Sequence, residues 1–257
     1  SAVARVLIHR EFGRSVLPFR PPSIPEFMFE SAYGERLAAG EITLALAFDE
    51  AHKTGELSKL QTLYRLEPDG CVLRDSSISV GNAKADLFLF PAREQGTQRL
   101  GLFILERDAP GLTIVDEVDL TTDATVARLT LRQCKIPNEQ LVGYEYEAGA
   151  LIASEQLNIA ARCLGIAARC VESALEHARN RVTFGRRLAE RQAIQWMLAD
   201  LSIALRTTTW LTFETAWRAD QELTYFDEAA LTKKRAAKMA FEAADDGKAN
   251  AGFVGGA

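Results

Sequence analysis

The chain has 257 residues, 47% hydrophobic and 25% charged, with a net charge of −5 at pH 7. That length is enough to bury a core in one large or two modest domains, and the charge balance gives no footprint for nucleic acid or an anionic membrane. No apolar run approaches the roughly 20 residues of a membrane-spanning helix, and the N-terminal stretch lacks the long apolar core of a secretory signal. Cys71, Cys134, Cys163 and Cys170 show neither metal-ligand nor disulfide spacing, so buried thiols and a cytoplasmic location are expected.

In chain order, Val3, Val6, Leu7 and His9 predict a short helix over Ala2–Phe12 that stops near Gly13. Leu17–Pro25 is a Pro-rich connector, and Glu26–Gly40 reads as a second helix. From Ile42 the period changes. Ile42–Ala47, Leu60–Leu66, Cys71–Val80, Ala85–Phe90, Leu100–Leu105, Leu112–Val115 and Val126–Leu131 are short apolar or alternating runs, punctuated by Pro68-Asp69-Gly70, Gly81-Asn82 and Asp108-Ala109-Pro110-Gly111. They predict an all-β unit, a barrel or a sandwich, between two helical parts.

From Leu157 the residues Ile159, Ala160, Leu164, Ile166, Ala167, Val171, Ala174 and Leu175 recur at three- and four-residue spacing, which predicts a long helix packed on other helices. Gly185 permits a sharp turn, after which Gln192, Ile194, Met197, Leu198 and Leu201 begin an antiparallel helix running to about Gln221. Trp210, Phe213 and Trp217 fall near one face of that helix, and an aromatic stripe of this kind is expected in the core. Ala229–Asp245 predicts a further helix. His9 and His177 have no Cys or His at ligand spacing, so no metal site is expected, and no Gly-rich phosphate loop or nucleophile-elbow motif is present.

The string Arg181-Val182-Thr183-Phe184-Gly185, then Gln192 and Leu198-Ala199-Asp200, resembles the C-terminal helical domain of the acyl-CoA dehydrogenase family. Phe103–Leu112 and the exit Ile136-Pro137-Asn138-Glu139-Gln140-Leu141-Val142-Gly143 resemble that family's β domain, and His9–Arg14 a helix late in its N-terminal domain. The resemblance covers about Val6–Asp246. It leads us to expect both outer ends of the family fold to be absent. It implies an α+β fold with a helical N-terminal remnant (1–40), a middle β-barrel or sandwich (41–142) and a C-terminal helical bundle (143–257).

The resemblance also implies FAD-dependent α,β-dehydrogenation of an acyl-CoA, with electrons passing to an electron-transfer flavoprotein. It places Arg181, Phe184 and Gln192 on FAD held by a neighbouring subunit, and a guanidinium suits phosphate because it offers two parallel donors. The alternative for Arg181 is solvation of a helix end. Glu155 lies where a minority of family members carry the catalytic carboxylate; its other reading is a solvated capping partner in a first helical turn. Two flavin-binding signatures of the family are replaced. Ala47-Phe48-Asp49-Glu50-Ala51-His52-Lys53 stands for the first, and Ser77-Ile78-Ser79 for the second, where Ser79 can still supply a hydroxyl. Asp49, Glu50 and His52 invite a reading as a catalytic cluster but read more simply as a solvated loop leaving a strand. Such replacements resemble a divergent subgroup that includes the small subunit of pimeloyl-CoA dehydrogenase. The resemblance therefore implies either a homo- or hetero-tetrameric enzyme or a non-catalytic partner subunit that completes a flavin site across an interface.

Overall fold

The computed structural model describes residues 1–15, 24–50, 60–119 and 124–252. The chain divides into two compact units, one of Ser1–Pro21 with Ile152–Ala257 and the other of Pro22–Leu151.

In the second unit the strands do not close into a barrel but form two open sheets. The larger runs β10–β4–β3–β6–β7–β11, with β1 also pairing β6; its strands are β1 (Leu44–Leu46), β3 (Leu63–Glu67), β4 (Gly70–Leu73), β6 (Leu87–Glu94), β7 (Leu100–Glu106), β10 (Cys134–Ile136) and β11 (Leu141–Gly143). The smaller runs β2–β5–β9–β8, from β2 (Asp49–Glu50), β5 (Ser76–Val80), β9 (Ala124–Leu131) and β8 (Leu112–Asp119). Phe88, Phe90, Phe103 and Leu105 of the first sheet share a core with Ile78, Leu129 and Leu131 of the second, so the pair is a sandwich. The alternate residues Leu87, Leu89, Leu102 and Ile104 pack on the opposite side with Met28, Leu37, Ala148 and Leu151. Because both faces of β6 and β7 are covered, their sequences read as continuous apolar runs.

Pro91 lies inside β6, where a missing N–H would break a ladder. The N–H groups of Leu87 and Arg93 donate to Thr43 and Thr62 on one edge. Pro91 falls between the segments paired with β1 (87–89) and with β3 (93–94), so no ladder bond is lost. The predicted run Cys71–Val80 is two strands belonging to different sheets, parted at Arg74-Asp75. The connector expected at Leu17–Pro25 lies mostly outside the described residues.

The helix expected over Glu26–Gly40 is instead a 3-10 turn (Glu26–Glu30) and a short helix α2 (Gly34–Ala38). Ser31 causes the break: its hydroxyl donates to the Met28 carbonyl at 2.6 Å and accepts the Tyr33 N–H at 3.2 Å, competing with helical bonding.

The first unit is a bundle of α1 (Ala2–Arg14), most of α3 (Glu145–Asn180), α4 (Gln192–Asp220) and α5 (Phe226–Gly252). Leu157 and Ala161 of α3 pack with Ala216 of α4, while Ala174 and Ala178 pack with Leu198; ascending positions meet descending ones, so α3 and α4 are antiparallel. Met239 and Ala243 of α5 join Leu164, Val171 and Leu201, and Thr215 and Thr232 share a buried hydroxyl bond of 2.9 Å. Asp220, at the end of α4, accepts from the Ser1 hydroxyl and the N–H groups of Ala2 and Val3, which satisfies two of the orphan donors of α1.

Gly13 does not stop α1. A Cβ there would lie 2.1 Å from the Arg162 carbonyl oxygen, and one at Gly165 would lie 2.0 Å from the Arg10 carbonyl oxygen. The two glycines let α1 and α3 cross backbone to backbone. Cys71 and Cys134 are buried, Cys163 and Cys170 partly so, and all four are unpaired. Burial pushes each thiol pKa up. No described helix is long and apolar enough to cross a membrane.

Candidate active site

The predicted turn after α3 is a small hairpin. The Arg181 N–H continues the helix by donating to the His177 carbonyl at 2.9 Å, and the Leu188 N–H returns to the Arg181 carbonyl at 2.9 Å. Between them β12 (Val182–Thr183) pairs antiparallel with β13 (Arg186–Arg187). Phe184 (φ 51°) and Gly185 (φ 74°) form the two-residue tip. Two successive left-handed residues match the twist of a tight hairpin. Glycine adopts that conformation freely, whereas a bulky residue carries a strain of order 1–3 kcal/mol. The strained Phe184 ring is 98% exposed.

Arg191 holds this hairpin. Its Nη2 donates to the Thr183 carbonyl at 2.7 Å and the Thr183 hydroxyl at 3.0 Å, and its guanidinium carbon lies 5.7 Å from the Phe184 ring centroid. Arg181, Arg186 and Arg187 are exposed around the tip. Gln192 is the exposed first residue of α4, and that helix starts without a side-chain cap at Arg191, so N–H groups of its first turn are available to a ligand. Exposed guanidiniums, a free helix start and a projecting aromatic ring together suit a phosphate-bearing ligand with a planar group. The resemblance supplied Arg181, Phe184 and Gln192. It did not supply Arg191, whose only sequence signal was the density of arginines over 179–191.

Glu155 is partly buried in α3 and accepts a 3.0 Å hydrogen bond from Asn158 Nδ2. It is not in a first turn, because α3 begins at Glu145. The capping role belongs to Glu147, whose carboxylate accepts the Tyr144 N–H at 2.9 Å. That leaves the Glu155 carboxylate with no capping duty. It lies 25 helical residues before Asn180, about 38 Å at 1.5 Å per residue. Within one chain, therefore, Glu155 and the hairpin are far apart, while the hairpin gathers Arg181, Phe184 and Gln192.

Ser79 belongs to the second unit, on β5, opposite Asp49 of β2 and Arg128 of β9. Ile78 turns into the core, so Ser77 and Ser79 share the outer face of the sheet. The Ser77 hydroxyl is buried with no hydrogen-bond partner in the structure, a group that the polar edge of a bound ring would satisfy. These residues fit a flavin by hydrogen bonding, without an aromatic to stack on it. Asp49 and Glu50 form the short strand β2 rather than a loop, and His52 lies outside the described residues.

His9 is buried in α1 with an unpartnered Nδ1. Burial, then the Arg162 and Arg5 charges, push its pKa down to about 4. Among the described residues no group of three or more His, Cys, Asp or Glu could hold a metal ion.

Residues 143–252 match the family model for the acyl-CoA dehydrogenase C-terminal domain. An acyl-CoA dehydrogenase of Bacillus subtilis is 31% identical over 225 residues, 83% of this chain and 59% of that protein. The short-chain specific acyl-CoA dehydrogenase of Homo sapiens mitochondria is 28% identical over 222 residues, 82% of this chain and 54% of that protein. The ChsE4-ChsE5 complex from Mycobacterium tuberculosis shares the fold, with a TM-score of 0.84 at 22% identity over 99% of this chain and 71% of that one. The chain thus spans a little over half the length of the curated relatives it matches. With similarity running through both the β sandwich and the helical bundle, the chain belongs to the acyl-CoA dehydrogenase family.

Proposed function

We propose that this chain acts in FAD-dependent α,β-dehydrogenation of an acyl-CoA thioester. The observation that carries the reading is the basic hairpin at the α3–α4 junction, where Arg191 braces a strained, fully exposed Phe184 beside Arg181 and Gln192. On this reading residues 1–40, 41–142 and 143–257 serve as helical remnant, flavin-facing β domain and assembly bundle. The four unpaired thiols favour the cytoplasm.

Arg181 and the first turn of α4 hold the pyrophosphate, with Phe184 and Gln192 at the adenosine side. Ser79, with Ser77 beside it, offers hydroxyls to the ring edge. FAD bound there would supply the hydride acceptor for the β-hydrogen, with an electron-transfer flavoprotein as the partner for its electrons. Glu155 takes the α-proton, a role that needs its carboxylate beside the α-carbon and shielded from water. The helix span between Glu155 and the hairpin supports a site shared between subunits, in which the hairpin of one chain reaches the flavin of another. Replacement of Glu155 by Gln is expected to lower turnover about 10²–10⁴-fold and leave the flavin content unchanged. Unchanged turnover removes Glu155 from the mechanism.

A second reading makes the chain a non-catalytic subunit beside another acyl-CoA dehydrogenase chain. The absent aromatic at Ser77-Ile78-Ser79 favours it, since nothing on that strand stacks on a flavin ring. It predicts a colourless protein that gains flavin and activity only when a second chain is added.

A further inference from the structure

Asn158 lies inside α3 and is 1% exposed. Among the described residues it is the only fully buried carboxamide, and Asn is both a weak helix former and a group that loses water on burial. Side chains on a helix lean toward its N-terminus, so residue 158 reaches back over the turn that carries residue 155. There the Asn158 Nδ2 donates to Glu155 Oε1 at 3.0 Å. Glu155 itself is partly buried, and its Oε2 accepts no hydrogen bond among the described residues. The two carboxylate oxygens are therefore unlike. One is tied to a buried amide and the other is open.

We infer that Asn158 is a positioning residue for removal of the α-proton, holding the Glu155 carboxylate by Oε1 so that Oε2 is the atom that takes the proton. The inference rests on the reading of Glu155 as the base. A Glu side chain has several rotamers open to it, and a donor fixed by burial selects among them. Proton transfer needs the base atom within hydrogen-bond reach of the proton, and a misplacement of about 1 Å costs on the order of 100-fold.

In this step the α C–H bond breaks, an O–H bond forms at Oε2, and the electron pair stays on the thioester as its enolate. Nothing is oxidised. Oε1 becomes the carbonyl oxygen of the acid, which still accepts from Nδ2, so the bond to Asn158 survives the transfer and the carboxyl group keeps its orientation.

The test is exchange of the α-hydrogens of a 3-thiaacyl-CoA with D2O, read by mass spectrometry, on the purified full chain supplied with FAD. Sulfur at the β-position leaves no β-hydrogen to transfer, so exchange reports proton removal alone. Wild type is expected to exchange and Glu155→Gln to lose exchange. Asn158→Leu keeps the volume and removes the donor; at saturating thioester it should slow exchange about 10–100-fold, with thioester affinity and flavin content within about twofold of wild type. Asn158→Gln, which keeps the amide, should exchange faster than Asn158→Leu. If Asn158→Leu does not fold, Asn158→Asp replaces it, with the same shape and no donor while ionised. Failure of both to fold makes Asn158 a residue of the core and overturns the proposal. Wild-type exchange in Asn158→Leu beside an inactive Glu155→Gln overturns the role of Asn158 and leaves Glu155 as the base. Exchange retained by Glu155→Gln, or absent from wild type, overturns both.

Discussion

At the scale of single residues, burial and close approach decide what each group can do. His9 lies among apolar residues of α1 with two arginines near it, and its pKa falls to about 4 from 6.5. The unfolded chain then binds the extra proton between those values, so the His9 contribution to stability is present above pH 6.5 and is lost as pH falls toward 4. A ¹H–¹³C NMR titration should show the His9 ring changing protonation near pH 4; a midpoint near 6.5 contradicts this environment. Gly13 and Gly165 face each other's helix backbone at a distance that leaves no space for a methyl group. Gly165→Ala is expected to cost about 1–3 kcal/mol through overpacking, read as a melting point lowered by several degrees. An unchanged melting point means that the helices can separate without loss. Neither glycine role was legible in the sequence, where Gly13 read as a stop signal, because close approach depends on a partner helix about 150 residues away in the chain.

At the scale of elements, periodicity located α3, α4 and α5 well and located strand ends less well. β6 extends to Glu94 through Pro91, a position that sequence logic treats as a strand end. Its place between two partner strands lies in the topology, not in the local sequence. The helix expected over Glu26–Gly40 failed at Ser31, whose hydroxyl bonds to the backbone on both sides of it. The stripe containing Trp210 and Trp217 was expected in the core and is exposed, while Phe213 packs inward with Val3. Spacing shows that side chains share a face, but not whether that face is inside. In the hairpin, Arg191 braces the backbone while Phe184 projects from it. Arg191→Ala removes two hydrogen bonds to Thr183 and should speed amide exchange over 182–187, and also weaken FAD binding. Phe184→Ala removes only the exposed ring's 5.7 Å contact with the Arg191 guanidinium, so it should leave stability within about 0.5 kcal/mol of wild type and lower chiefly FAD affinity, measured by fluorescence quenching. Equal loss of stability in both variants contradicts the division of labour.

At the scale of the whole molecule, the sequence placed a β unit among helical segments and named the residues of the hairpin from their resemblance to a family. The long helix expected from the spacing also sets a distance: at 1.5 Å per residue it holds Glu155 and Arg181 about 39 Å apart, which supports a site built by more than one chain. The proposal is that such an assembly would hold FAD and oxidise an acyl-CoA. The most direct measurement is the visible absorption spectrum of the purified chain, before and after anaerobic addition of acyl-CoAs of different lengths. The expected result is a yellow protein whose band bleaches with at least one thioester, and a Glu155→Gln variant that is equally yellow but does not bleach. A protein that remains colourless when FAD is supplied contradicts it, and so does flavin that no acyl-CoA reduces.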